Sequence, residues 1–508
     1  MGYAALLDTA GRVNDFLNAG SILSWDARTM MPRGGAASRG KQLSTLALAA
    51  RDLLCSDEMR RNLDAAEADT ASLPADSAER TVVAQLREAI DYHDRIPPEL
   101  LRRKTELGAV AQHVWAEARA NADFSRFGPA LTEMVAINRE MAEAIGYAEH
   151  PYDALMYRFE PGTTTAQLRD LFATLRAGMQ PLVQAIADRP EPRSDFLYRD
   201  FPEDAQLRFA LQMAQAVGYD LSRGRLDLTV HPFEISFTRD DVRITTRVSR
   251  NYMPMALFGA LHEAGHALYE QNVDPAYTRT PLATDLISLY AVGGVSFGAH
   301  ESQSRLWENH VGRSAAFWDT HFGTLRDAFP DQLGDVSAEE FHAAVNRARP
   351  SLIRVEADEL TYDFHIMLRV DLESRLVDGS LAVADLPEAW NTGMKELLGV
   401  TVPDDGQGVL QDVHWSSGQI GTFCNYTIGN IMAAQLFETA TAQDAGITAG
   451  LSAGDYAPLR DWLSDTVCRH GRRYPRDELL RRATGRALDP QPYLRYLTGK
   501  YGALYGLA

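Results

Sequence analysis

The 508-residue sequence predicts a mainly α fold with one small β-sheet set just before a histidine-bearing helix. Two observations lead there. Apolar residues recur at helical spacing through segments such as 80–92 (RTVVAQLREAIDY), 164–187 and 338–349, each with a polar opposite face. Residues 225–248 break that rhythm and alternate with a period of two. At 45% hydrophobic residues, the chain can bury a large core.

Along the chain, Pro97-Pro98, Pro161-Gly162 and the Pro190–Pro192 stretch punctuate the helices, and no solenoid repeat or low-complexity segment interrupts them. In RLDLTV, Leu226, Leu228 and Val230 alternate with polar residues. In DVRITTRV, Val242, Ile244, Thr246 and Val248 alternate with Asp241, Arg243, Thr245 and Arg247. With HPFEISFT between them, these runs make a small sheet. The period of two puts Asp241, Arg243 and Thr245 on one face. An amphipathic strand explains the alternation but does not require Asp and Arg there, so a supporting role at a site stays open.

The segment LFGALHEAGHALYEQ follows, with Pro254 near a helix start and Phe258, Leu261, Gly265 and Leu268 as its apolar stripe. His262 and His266 are four residues apart and project together from one face, so two imidazole nitrogens reach one ion without bending the backbone. Glu263 is turned about 100° from His262, which suits a base acting on water beside the ion rather than a ligand. Gly265 costs roughly 1 kcal/mol relative to Ala in a helix; close approach by another segment, one carrying further ligands, would compensate. A catalytic zinc needs a third protein ligand and an open position. AHESQSRLWENH (299–310) offers His300 and Glu301, and geometry alone leaves the choice between them open. A chance HExxH on an ordinary helix is the competing reading.

The formal net charge of −19 argues against nucleic acid and anionic membrane as partners. Cys55, Cys424 and Cys468 are too few and too scattered for a disulfide framework or a zinc-type pair. No secretory leader pattern opens the chain, and no apolar run is long enough to span a bilayer, so a cytoplasmic location is the expectation.

Taken together, the motifs resemble the carboxypeptidase Taq family of HExxH metallocarboxypeptidases. HEAGHALYEQ and HESQSRLWEN are similar to its two metal motifs, His231–Phe233 to its HPF, and 241–245 to its DxRxT. IRVEAD (353–358) matches IRxxAD, and GVLQDVHW (408–415) matches GxxQDxHW. ILSWDARTMMPRGG, YDALMYRFEPG and the C-terminal RATGRALDPQPYLRYLTGKY also look family-like, so the resemblance spans nearly the whole chain. Two stretches depart from the pattern. Thr422-Phe423-Cys424-Asn425-Tyr426 stands where a Tyr-Phe-Pro-Thr/Ser-Tyr type run is usual, and Val467-Cys468 stands where Ile-His is common.

The resemblance implies a helical metallopeptidase fold with a deep substrate groove between two helical sides. Residues 1–508 would form one peptidase unit, with the catalytic motifs within 225–430. It further implies a homodimer and one divalent metal, held by His262, His266 and, by the family's second motif, Glu301. The implied activity removes single C-terminal residues from peptides with broad specificity. Zinc is the expected ion, with cobalt or manganese also suited to N/O ligands. Glu263 is the expected general base, and His231, His414 and Tyr426 are candidates for steadying the oxyanion. Arginine's planar fork suits the terminal carboxylate of the peptide; Arg354 is the first choice and Arg243 its rival. The alternative for Arg354 is a salt bridge to Glu356, Asp358 or Glu359 within one helix. The competing functions are an oligoendopeptidase of related architecture and an inactive peptide-binding homologue.

Overall fold

A computed structural model describes residues 2–507. The chain is largely helical and forms two compact units, one from Met1–His93, Pro192–Val345 and Gly429–Asp489, the other from Asp94–Glu191, Asn346–Ile428 and Pro490–Ala508. The helices expected from periodicity are Ala78–Arg95, Thr165–Ala187 and Ala338–Val345. The last stops short of 349, since Pro350 disfavours the helical conformation of the residue before it. No helix among the described residues is long and apolar enough to cross a membrane.

In the first unit, α1 (Gly2–Thr29) buries Leu6, Ala10, Val13 and Leu17 at helical spacing in a core that includes Leu63, Leu86 and Ile90. Further along α1, Trp25 joins Phe233, Ile235 and Phe237 in a second cluster. Phe237 belongs to a strand of the small sheet, and Phe233 comes directly before that strand. Its strands are β1 (Leu226–Leu228), β2 (Glu234–Thr238) and β3 (Asp241–Thr246), in the order β1-β3-β2. β1 runs parallel to β3 and β2 antiparallel, with a bulge between Ser236 and Thr238.

β3 buries Val242 and Ile244, as its alternation predicts, but Thr245 on the other face is fully buried too. Its hydroxyl accepts the Phe233 N–H at 2.8 Å and donates to the Phe233 carbonyl at 2.9 Å, which satisfies it without water. Thr246 donates to the Ala256 carbonyl at 2.8 Å and so ties the sheet to the first turn of α2 (Pro254–Gln271).

α2 is buried on most of its surface, and α3 (Phe297–Arg305), capped by the Ser296 hydroxyl, packs against it. α3 continues into a π-helical turn, Leu306–Gly312, a winding that recurs at functional sites. The contact between α2 and α3 depends on Gly265. A Cβ there would lie 2.5 Å from the Gln303 carbonyl oxygen and 2.6 Å from Ser304 Cα, both backbone atoms that have no side-chain freedom to yield. The approach inferred from the glycine is therefore made by the segment that carries Glu301. Gly265→Ala is expected to destabilise the protein by at least about 1–3 kcal/mol through overpacking, seen as a lower thermal midpoint.

Candidate active site

On α2, His262 and His266 lie one turn apart, and α3 places Glu301 against both. Glu301 Oε2 lies 3.8 Å from His262 Nε2 and 3.4 Å from His266 Nε2. One ligand atom from each residue lies within 4.8 Å of the other two, and among the described residues no other group of three His, Cys, Asp or Glu does this. A tetrahedral zinc with bonds of 2.0–2.1 Å sets its ligand atoms about 3.3 Å apart, so the observed spacing fits a small divalent ion.

The surrounding hydrogen bonds aim each lone pair inward. His262 Nδ1 donates to Glu308 Oε2 at 2.9 Å, leaving Nε2 for the ion. Glu308 also accepts from Arg313 at 3.0 Å. Glu301 gives its other oxygen, Oε1, to Arg305 Nε at 2.8 Å, so Oε2 alone faces the histidines.

His266 is held differently. Its Nδ1 lies 2.6 Å from Nδ1 of His300, whose Nε2 donates to Glu270 Oε1 at 2.9 Å. Glu270 in turn accepts the backbone N–H groups of Gly293 (2.9 Å) and Gly294 (3.2 Å). A Cβ on Gly294 would come within 2.7 Å of the His300 ring, so the pair of glycines lets the loop reach the buried carboxylate. The proton positions consistent with this chain run from His266 to His300 to Glu270, again leaving Nε2 of His266 for the ion. His300, open as a rival ligand from sequence, thus stands behind His266.

Electrostatics treat the two histidines differently. Burial, aided by His300, pushes His266 down to about 3 and keeps its ring neutral. Burial also opposes charge on His262, but Glu301, Glu308 and Glu263 outweigh it and hold that ring above its ordinary value. Glu301 is held well below the carboxylate range because Arg305, His262 and His266 outweigh its burial. Glu263 is only 6% exposed, and burial pushes it up to about 7, with His262 and Arg28 opposing and Glu301 and Glu308 reinforcing the rise. Such a value suits a group that takes and returns a proton near neutrality.

Of the other expected residues in this unit, His231 is exposed just before β2. Arg243 is clasped by Asp241 through two 2.8 Å contacts and lies over Trp25 and Phe237.

In the second unit, Arg354 lies in a short turn (Arg354–Glu356) rather than a helix, and its partner is none of the three acids near it in sequence. Nε and one terminal nitrogen donate to Asp412 Oδ1 at 3.0 and 2.8 Å, and the other donates to the Tyr362 hydroxyl at 2.9 Å. Asp358 instead accepts from Arg349 and Thr361, and Glu359 pairs with Lys500 at 2.6 Å.

The QDVHW run braces this arginine. Asp412 also receives Arg369 Nε at 2.6 Å, and Gln411 accepts both the Arg354 backbone N–H and Arg369. Arg369 belongs to α4 (Tyr362–Asp378), as does Glu373, which holds Trp415 Nε1 at 2.8 Å and the Tyr152 hydroxyl at 2.6 Å. Tyr426 and Phe423 present their rings to Arg354 at 5.2 and 5.4 Å, and His414 lies against Phe423 at 4.6 Å. The structure therefore gathers Arg354, Tyr426 and His414, and separately His262, Glu263, His266 and Glu301.

Sequence reading missed Glu308, Glu270, Arg305 and Arg369. The first three had a signal. Glu270 follows His266 by four residues on the same helix face, and Arg305 and Glu308 follow Glu301 by four and seven.

The family profile for carboxypeptidase Taq (M32) metallopeptidases matches residues 5–501. The chain belongs to this family. Thermostable carboxypeptidase 1 of Thermus thermophilus is 39% identical over 99% of both chains, and carboxypeptidase 1 of Bacillus subtilis is 36% identical over 98% of this chain and 97% of that one. The crystal structure of the M32 carboxypeptidase from Deinococcus radiodurans R1 superposes with a TM-score of 0.95 at 42% identity, covering all of both chains. This family member is accordingly a metal-dependent carboxypeptidase that hydrolyses peptides and uses a divalent ion.

Proposed function

We propose that the ion is zinc, held by His262, His266 and Glu301, and that single residues are released from the C-terminal end of peptides with broad specificity. The observation that carries this is the convergence of two Nε2 atoms and one Oε2 atom, with the buried Glu263 next to His262 on the same helix. When bound, the ion would acidify water and polarise the scissile carbonyl. Glu263 takes the attacking water's proton and returns it to the departing amine. Arg354 receives the terminal carboxylate; Asp412 and Tyr362 engage three of its five N–H groups and orient the rest. Arg243 is the rival receiver, and His231, His414 or Tyr426 would steady the oxyanion. The likeness to the family also supports a cytoplasmic homodimer with a substrate groove between two helical sides.

Mass spectrometry of a peptide digest tests the direction of cutting. Free-acid peptides are expected to shorten one residue at a time from the C-terminus, amidated peptides to stay whole, and chelator to stop the reaction. Arg354→Ala is expected to lose cleavage of free acids while keeping its metal. Efficient cutting of amidated peptides would point instead to an oligoendopeptidase, and no cutting by the metal-loaded enzyme to an inactive binding homologue.

A further inference from the structure

Arg354 and Arg243 each already clasp a carboxylate of their own chain, Asp412 and Asp241. Arg305 and Arg313 pair with Glu301 and Glu308. Arg28, at the end of α1, is different. Its guanidinium makes no hydrogen bond or ion pair with any described residue, although its backbone carbonyl accepts from Thr229 at 3.0 Å. The group is exposed and lies 3.3 Å over the centre of the Phe233 ring. Stacking of this kind fixes a guanidinium by its face and leaves the N–H edge for a planar acceptor.

Packing ties this stack to the helix of the reacting centre, since α1 and α2 both pack on β2, the strand that follows Phe233. Phe233 follows Pro232, whose Cγ lies 3.9 Å from where a Cβ on Gly259 would be. Gly259 is one helical turn before Glu263 on the same face of α2. The fields of Arg28 and Glu263 act on each other, and Arg28 also acts on Tyr290. Tyr290 is 42% exposed, its backbone is pinned by paired 2.8 Å hydrogen bonds to Asp285, and its hydroxyl bonds to no described residue.

We propose that Arg28 is a carboxylate receptor for the peptide on the same unit as His262, His266 and Glu301. This rests on the reading of the substrate as a peptide with a free C-terminus. The carboxylate is that of an acidic side chain near the scissile bond, since the terminal one belongs to Arg354; the terminal carboxylate is the competing source, recognised by the same chemistry.

The two sources separate with three N-acylated tripeptides, ending Ala-Ala-Ala, Ala-Ala-Glu and Ala-Glu-Ala, cut by metal-loaded wild type, Arg28→Gln and Arg28→Lys. Loss of a charge-assisted hydrogen bond is expected to raise KM roughly 10- to 100-fold in Arg28→Gln with kcat little changed. A rise confined to the peptides containing Glu is expected, and an equal rise for all three would give the terminal carboxylate to Arg28 and overturn the side-chain assignment. Arg28→Lys is expected to recover part of the loss, having charge without the fork. KM within twofold of wild type for every peptide, or a fall in kcat at constant KM, would overturn the assignment. Failure of wild type to cut any of the three would instead overturn the carboxypeptidase reading beneath it.

Discussion

Glu263→Gln is expected to lower kcat by roughly 10²–10⁴-fold and to leave the metal content unchanged. The carboxylate is buried beside His262 but is not part of the trio whose atoms converge. Gln keeps the shape and loses only the capacity to accept a proton. The effect on folding should have the opposite sign. Glu263 lies in the field of Glu301, Glu308 and Glu234, so a neutral amide removes like-charge repulsion within a buried region. The variant is therefore expected to unfold at a temperature no lower than wild type. Kinetics on a short acylated peptide, elemental analysis and a thermal melt make the three measurements. A kcat equal to wild type would remove Glu263 from the chemistry.

Glu301→Ala is expected to lose the ion altogether, whereas His300→Gln keeps it with affinity lowered about 10–100-fold, as does Glu270→Gln. The two residues are neighbours in sequence, and the structure separates their tasks. Glu301 directs Oε2 at both His262 and His266, while His300 spans His266 and Glu270 from behind. Competition for zinc against a chelator of known affinity reads the difference without reference to turnover. If His300→Gln and Glu301→Ala release the ion equally, His300 is a ligand and the proton chain described above is wrong. Each apoprotein's melting temperature, compared with that of wild-type apoprotein, controls for loss of fold.

Much of the site was legible because helices convert spacing into direction. A spacing of four residues from His262 to His266 was enough to aim two rings together, and the costly choice of Gly265 marked where a second helix had to arrive. The small sheet was legible from its period of two. Other parts depend on contacts that no local pattern encodes. The partner of Arg354 lies 58 residues away, in a loop, so nearby acids were the natural but mistaken alternative. Alternation put Thr245 on one face with Asp241 and Arg243 but could not show that it is buried, and only the fold supplies the Phe233 backbone that satisfies it. The 422–426 run, odd as a motif, sets its Phe423 and Tyr426 rings over the Arg354 charge.

The loop carrying Gly293 and Gly294 bears on any attempt to transplant this centre. A designer who copied two histidines and two glutamates onto a foreign pair of helices would reproduce the inventory and leave His266 free to turn its proton toward the cavity. The smallest portable unit is larger: the two helices, the carboxylate one turn beyond the second histidine, the imidazole behind it, and a strand of backbone thin enough to reach that carboxylate with two bare amides. The donors at the far end of the chain that orients His266 are main chain, so a substitution screen confined to side chains would pass over them.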